Sequence, residues 1–245
     1  HLAQAHLSGD IHIHDLEYFG TRQFCLDSDL RYFFKYGFVG DGTGAHTSIA
    51  GPAKRAEGAI LHAAKVLGAS QTQCAGGQGF YNFLTFLAPF FENRDYRDYF
   101  QCMQMFCYEM TQMLVARGGQ AVFSSVQLSP GVPKLWQNIP IVYKGKVWDG
   151  KEAPLRTYGE FEAENRLLFT AMMEVMLEGD HTGKPFYFPK PEISIEPQFI
   201  EMMKVEDEIA FPDDYPSIRE LYLLSFKLAS KFGTPYFDNQ IPQYR

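Results

Sequence analysis

Two histidines set two apart, His12 and His14, followed by Asp15, are the first residues in this chain with types and spacing suited to chemistry. In an extended segment both imidazoles fall on one face, about 7 Å apart at the backbone. Such a pair suits a divalent metal, and His-x-His with a nearby aspartate occurs in metal hydrolases. A metal site needs three or four ligands. The other candidates are His46 in a glycine-rich loop, His62 on a helix, and His181 beside Asp180, and none has a diagnostic spacing. The competing reading is a core histidine hydrogen-bonded to backbone or to Asp15. Cys25 lies eleven residues after His14, with no base beside it in sequence. A lone cysteine is usually a small buried apolar residue. Cys102 and Cys107 read as core of a Met-rich helix, while Cys74, just ahead of Gly76-Gly77, reads either way. The glycines of "CAGGQG" and "RGGQ" could bring backbone N–H groups close to phosphate, but neither matches the Walker or dinucleotide-binding pattern. Lys54, Arg55 and Lys65 could hold an anion or form a solvated helix face.

The elements that must position these residues are partly legible. Residues 1–8 read as the end of a helix, and "DIHIHDL" as an extended segment with isoleucines and histidines on opposite faces. Residues 37–51 are glycine-rich and polar, hence a loop. Pro52 suits the first turn of a helix. In that helix Ala53, Ala56, Ile60, Ala63, Ala64 and Leu67 recur at helical spacing, a small-residue face that lets another helix approach closely. A long helix is expected over about 96–116, stopped by Gly118 and Gly119. "AVFSSVQLS" reads as a strand, and "IPIVYKGKVWDGK" as a strand pair turning near Lys144-Gly145. Residues 159–178 read as a helix, "EGDHTGKPFYFPKPEISI" as a loop entering a strand, and the helix of "SIRELYLLSFKLASKFG" ends at Gly233 before an extended tail. Helices alternating with short buried strands argue for an α/β fold, a barrel or a large sheet.

The bulk composition excludes some classes. The chain has 245 residues, 46% hydrophobic and 21% charged, with 22 Phe and 14 Tyr, so a large aromatic core is expected. A net charge of −7 argues against a basic surface for nucleic acid. No apolar run approaches membrane-spanning length. Four cysteines without a Cys-x-x-Cys motif, and no secretory signal, favour a reducing, cytoplasmic setting. A chain that opens on His1 is expected to be a piece of something longer.

Taken together and in order, "GDIHIHDLEYF", "FCLDSDL", "PAKRAEGAILHAAKVLGASQTQCAGGQG", "ARGGQAVFSSVQL", "EGDHTGKPFYFPKP" and "KFGTPYFDNQ" resemble the anaerobic (class III) ribonucleoside-triphosphate reductases, which are glycyl radical enzymes. The resemblance implies the first half of a ten-stranded α/β barrel, one domain over 1–245, with long helices forming a homodimer interface. It implies that the ATP-cone, the finger loop with its thiyl cysteine, the radical glycine and the zinc-binding cysteines lie outside this chain. The isolated chain is then expected to be inactive. The implied reaction converts ribonucleoside triphosphates to deoxyribonucleoside triphosphates without oxygen, under allosteric control by dNTP and ATP. By position Cys25 is the catalytic cysteine of the first barrel strand, a buried thiol giving a hydrogen atom to the ribose 2′ carbon. His12 and His14 would open the same strand and line or support the substrate site. Ser124 and Ser125 would contact ribose or phosphate, and Lys54 an effector phosphate between the helix from Pro52 and the helix ending at Arg117. No resident metal is implied here. The radical would come from an S-adenosylmethionine/iron–sulfur activating enzyme. Phe24-Cys25 stands where the family often has Asn-Cys, and the connection from the histidines to Cys25 is short, which leaves the reductant open between formate and a thioredoxin-like protein. The alternatives are another glycyl radical enzyme, a His-x-His metal hydrolase, and a nucleotide-binding module without chemistry of its own.

Overall fold

The computed structural model describes residues 1–13, 21–113, 121–209 and 214–241. In chain order these form α1 (Leu2–Ser8), β1 (Leu26–Ser28), α2 (Leu30–Tyr36), the hairpin β2 (Phe38–Val39) and β3 (Ile49–Ala50), and α3 (Ala56–Gln73). Then come β4 (Gln78–Phe80), α4 (Phe83–Leu87), α5 (Tyr96–Gln112), β5 (Ser124–Leu128), α6 (Lys134–Gln137), and the hairpin β6 (Val142–Tyr143) and β7 (Lys146–Val147). The series ends with α7 (Glu162–Glu178), β8 (Lys190–Ile195), α8 (Pro197–Asp207), α9 (Ile218–Phe232) and β9 (Tyr236–Asn239).

Five strands build one parallel sheet in the order β1-β4-β5-β8-β9. Each strand is laid beside the previous one of that sheet, without a reversal. Right-handed crossovers in one direction put the connecting helices on a single face. That is how a barrel wall grows; a doubly wound sheet reverses its strand order and covers both faces. Burial agrees: along β5, Ser124, Val126 and Leu128 are buried, while Ser125 and Gln127 are half-covered. If both faces were packed, all five would be buried. Over the covered face, α3 packs on α5, α5 on α7 and α7 on α9. Their core holds Ile60, Leu67, Phe106, Met172 and Phe169, all at 0% exposure.

Several expectations are corrected. The helix expected from Pro52 begins at Ala56, behind an extended Arg55 (φ −136°, ψ 161°). The cause is the β6–β7 hairpin. Its turn places Lys144 (φ 52°) and Gly145 (φ 87°) in the left-handed region, and Gly145 lies against the Pro52 ring. The Lys54 ammonium donates to the Lys144 carbonyl at 2.8 Å, so the hairpin pins residues 52–55 outside the helix. The small-residue face of α3 does allow close approach, but to this chain's own elements: Ala56, Ala59, Ile60, Ala63, Ala64 and Leu67 are fully buried. The 37–51 loop contains the β2–β3 ladder. The described part of "GDIHIHDL", residues 9–13, forms no strand, and β1 begins only after Cys25. The helix expected over about 96–116 ends at Gln112, before an extended Met113 (φ −81°, ψ 108°), while His14, Asp15, Arg117 and its glycine stop lie outside the described residues.

Candidate functional site

A cavity of about 540 Å³ opens on the uncovered side of the sheet, at the N-terminal ends of its strands. Strand register explains which side chains reach it. Asp27, Gly79, Ser125 and Lys190 are cross-strand partners in one row over four strands. Two residues on, Gln127, Glu192 and Tyr236 make the next row. Cys25 and Phe123 lie two residues before Asp27 and Ser125, on the same side. Cys25, Asp27, Ser125, Lys190, Glu192 and Tyr236 all line the cavity.

The glycines of "CAGGQG" are floor, not a phosphate loop. A Cβ on Gly79 would collide with the Asp27 carboxylate and stand 3.1 Å from the Ser125 hydroxyl, so both side chains lie over bare backbone. A Cβ on Gly77 would come within 2.8 Å of the Phe123 ring. On Gly76 it would meet the Phe24 carbonyl, and Cys25 Sγ at 2.8 Å. The thiol therefore rests on Gly76, and three side chains from neighbouring strands use space that larger residues would fill.

Sequence-flagged residues divide accordingly. Cys25 and Ser125 share the cavity. Cys25 is exposed, against the expectation of a buried thiol, because it precedes the edge strand β1 on the uncovered face. Ser124 cannot share Ser125's orientation, since neighbours on a strand alternate. It touches the cavity wall, but its side chain is buried on the other face and its hydroxyl donates to the Val122 carbonyl at 3.1 Å. His12 is exposed outside the cavity, its ring 5.5 Å from that of His6, whose Nδ1 accepts the Ile13 N–H at 3.0 Å. Lys54 lies at the β6–β7 hairpin and does not line the cavity. Cys102 and Cys107 are core, and burial pushes both thiols up to about 12. Cys74 is buried as well. His62 is a half-buried α3 residue whose imidazole is pushed down by burial and whose Nδ1 has no hydrogen-bond partner. Among the described residues no group of three or more His, Cys, Asp or Glu is arranged to hold a metal, and no helix is long and apolar enough to cross a membrane.

Asp27, Lys190, Glu192 and Tyr236 were not singled out from the sequence. Their signal was the period of two: Cys25-x-Asp27 and Lys190-x-Glu192 each repeat on one face of a strand. Glu192 has the most altered environment of these. Burial raises its carboxyl above the ordinary glutamate value, a Ser125 hydrogen bond opposes the rise, and Asp27 and Asp238 add to it. A raised carboxyl makes the folded chain bind more protons than the unfolded one, so it removes stability as pH rises through and above the carboxylate range. Glu192→Gln should therefore raise the melting temperature at pH 7, by at most about 3 °C for a half-exposed, screened group. The gain should vanish below pH 4. Thermal melts of both chains at the two pH values check this, and an equal gain at both would reject the linkage.

A thiol, two carboxylates, a hydroxyl and an ammonium thus converge on one concave polar surface. Carboxylates and a hydroxyl suit a sugar's hydroxyl groups, the ammonium an anionic substituent, and the thiol hydrogen-atom or electron transfer.

Comparisons with known proteins bear on the family and the fold. The family model for anaerobic ribonucleoside-triphosphate reductase matches residues 1–245. No curated protein sequence matches the chain. Solved structures of similar fold include the anaerobic ribonucleotide reductase from Thermotoga maritima with citrate in the active site, at 14% identity and a TM-score of 0.65, covering 98% of this chain and 39% of that one. The same enzyme with dATP bound in the specificity site is 15% identical, with a TM-score of 0.66 over 98% of this chain and 37% of that one. Its complex with dATP and CTP gives the same values. At such identity the likeness concerns the fold, and the chain spans well under half the length of those structures.

Proposed function

Because this chain belongs to the anaerobic ribonucleoside-triphosphate reductase family along its whole length, we propose that it is the first barrel half of an enzyme that reduces ribonucleoside triphosphates to deoxyribonucleoside triphosphates. The observation that carries this reading is Cys25 at the rim of a polar cavity on the uncovered face of the sheet. The glycyl radical, installed elsewhere in the full protein by an S-adenosylmethionine/iron–sulfur activating enzyme, supplies the abstraction of the ribose 3′ hydrogen through a thiyl. Within this chain, Asp27, Ser125 and Glu192 hold the ribose hydroxyls. The 2′-hydroxyl leaves as water with a proton from the Glu192 carboxyl, which burial raises above the ordinary glutamate value. Cys25 then gives a hydrogen atom to the 2′-carbon radical and becomes a thiyl that the reductant restores. The 3′ hydrogen returns to its carbon from the thiol outside this chain. The transfer from Cys25 needs an S–H bond and no activating base beside the sulfur. The exposed Cys25 is covered in the full protein by the remaining barrel, which keeps water and oxygen from the radical. Formate or a thioredoxin-like protein supplies the two electrons of each turnover.

Two further roles follow. An effector dNTP or ATP binds at a homodimer interface near α3 and takes Lys54 as a phosphate contact. That ammonium uses one N–H on Lys144 and keeps two. The four cysteines are free, in keeping with a reducing cytoplasm. The effector complex of the Thermotoga maritima enzyme with dATP and CTP sets the test. The full-length protein, activated without oxygen, is given CTP with and without dATP, and dCTP is measured by chromatography. We expect dCTP, more with dATP than without, and none from residues 1–245 alone. Absence of deoxynucleotide from all four ribonucleotides in the activated protein would overturn the reading.

A further inference from the structure

We propose that Gln71 is a positioning residue for Cys25, holding from the helix-covered face the backbone on which the thiol rests. The inference depends on the reading of Cys25 as the hydrogen donor. Gln71 lies on the last turn of α3 and is 2% exposed. Its amide is satisfied at both ends by backbone of two different strands. Nε2 donates to the Gly76 carbonyl at 3.3 Å, and Oε1 accepts the Phe123 N–H at 3.0 Å. Gly76 enters β4 and Phe123 enters β5, so one side chain ties the cavity-side ends of both strands to a helix.

The tie reaches Cys25 through Gly76. The Gly76 N–H donates to the Phe24 carbonyl, and the Ala75 N–H to the Gln23 carbonyl at 2.9 Å. Leu26 N–H donates to the Gly77 carbonyl at 3.2 Å. The residues on both sides of Cys25 are thus bonded to the 75–77 segment, and Sγ lies against Gly76 itself. β1 is an edge strand of three residues, too short to fix the residue before it. What fixes Cys25 is the orientation of the Gly76 peptide, and Gln71 with Gln78 (Nε2 to the same carbonyl, 3.2 Å) sets it. A displacement near 1 Å at a reacting atom can cost about 100-fold in rate. A buried amide satisfied on both sides, as that of Gln71 is, holds geometry to that tolerance, whereas Gln78 is anchored through Nε2 while its buried Oε1 has no partner.

A comparably buried tie at the other end of the sheet gives a control. Thr85 Oγ1 donates to Asn165 Oδ1 at 3.0 Å, and Asn165 Nδ2 to the Ser129 carbonyl at 3.0 Å, with no link to Cys25. The experiment compares Gln71→Met, Gln71→Glu and Thr85→Val in the activated full-length enzyme. Measured are kcat, KM, glycyl radical per subunit, melting temperature, and the iodoacetamide rate at Cys25 mapped by mass spectrometry. For Gln71→Met we expect kcat to fall about 10- to 100-fold, with KM and radical content within about twofold. The Cys25 alkylation rate should change at least about threefold. Gln71→Glu, which keeps the acceptor for Phe123 but loses the donor to the Gly76 carbonyl, should lower kcat as far as Gln71→Met. Thr85→Val should lower melting temperature alone. An unchanged kcat in Gln71→Met, or a loss matched by Thr85→Val or by loss of the radical, would overturn the proposal. If the parent enzyme makes no deoxynucleotide, the functional reading fails, and the alkylation rates still decide whether Gln71 positions Cys25.

Discussion

Cys25→Ala in the full-length protein should lower deoxynucleotide formation by at least about 1,000-fold, roughly 4 kcal/mol of barrier, while the glycyl radical signal persists. The two readouts separate chemistry from structure. Within this chain Sγ lies against Gly76 and outside the hydrophobic core, so its loss removes no core packing here and should move the melting temperature little. The radical is generated outside this chain in our reading, and nothing on the Cys25 side of the cavity is needed to make it. What the variant lacks is the hydrogen donor on this face of the ribose. Ser125, two strands over in the neighbouring row, cannot replace it, because an O–H bond is too strong to give up its hydrogen atom to the substrate radical. Electron paramagnetic resonance counts the radical and chromatography counts the product. Product above a tenth of the parent level would remove Cys25 from the reaction, and loss of the radical would make its role structural.

The elements that sequence pattern predicts well are those whose reasons are local. The β6–β7 turn follows from Lys144-Gly145, and α9 from Ser217 and Glu220 as a capping box with Gly233 in the left-handed region at its end. α2 and α8 escape notice for local reasons too. "LRYFFKY" is seven largely aromatic residues capped by Asp29, and α8 starts at Pro197 directly behind a strand. Long-range causes were not legible. Nothing near Pro52 announces that a hairpin 90 residues later holds it out of α3. Nothing in "CAGGQG" reveals that its glycines lie under side chains of β1 and β5, since that depends on which strands pair. Of the cavity's residues, Cys25 and Ser125 were singled out because their segments resemble a known family. The site was unreadable at Asp27, Lys190 and Glu192, whose common face emerges only once four strands are in register.

The largest loss of stability is expected at Arg166, which sequence pattern presents as an ordinary charged residue of α7. Its side chain is 3% exposed and donates to Glu162 Oε1 at 2.7 Å, to Glu206 Oε1 at 2.8 Å and to the Pro216 carbonyl at 3.2 Å. Glu206, 8% exposed, spends its other oxygen on the Ile218 N–H at 2.7 Å, the first residue of α9. Glu162 does the same for Val132 N–H at 2.7 Å. One guanidinium therefore joins α7 to the end of α8, the start of α9 and the turn after β5. Arg166→Met keeps volume but leaves the Glu206 carboxylate buried without its cation, which costs about 3–5 kcal/mol. At this size that lowers the melting temperature by roughly 6–20 °C. Adding Glu206→Gln removes the stranded charge while its amide N–H or carbonyl can still meet Ile218 and Pro216. The double variant should therefore melt above the single one, and with Glu206→Gln alone completing the cycle the two changes should be non-additive, as expected of residues in contact. Thermal unfolding followed by circular dichroism measures both steps. If Arg166→Met costs less than about 1 kcal/mol, or the second change makes matters worse, the cluster is not what fastens α9, and with it β9, to the helix layer behind the site.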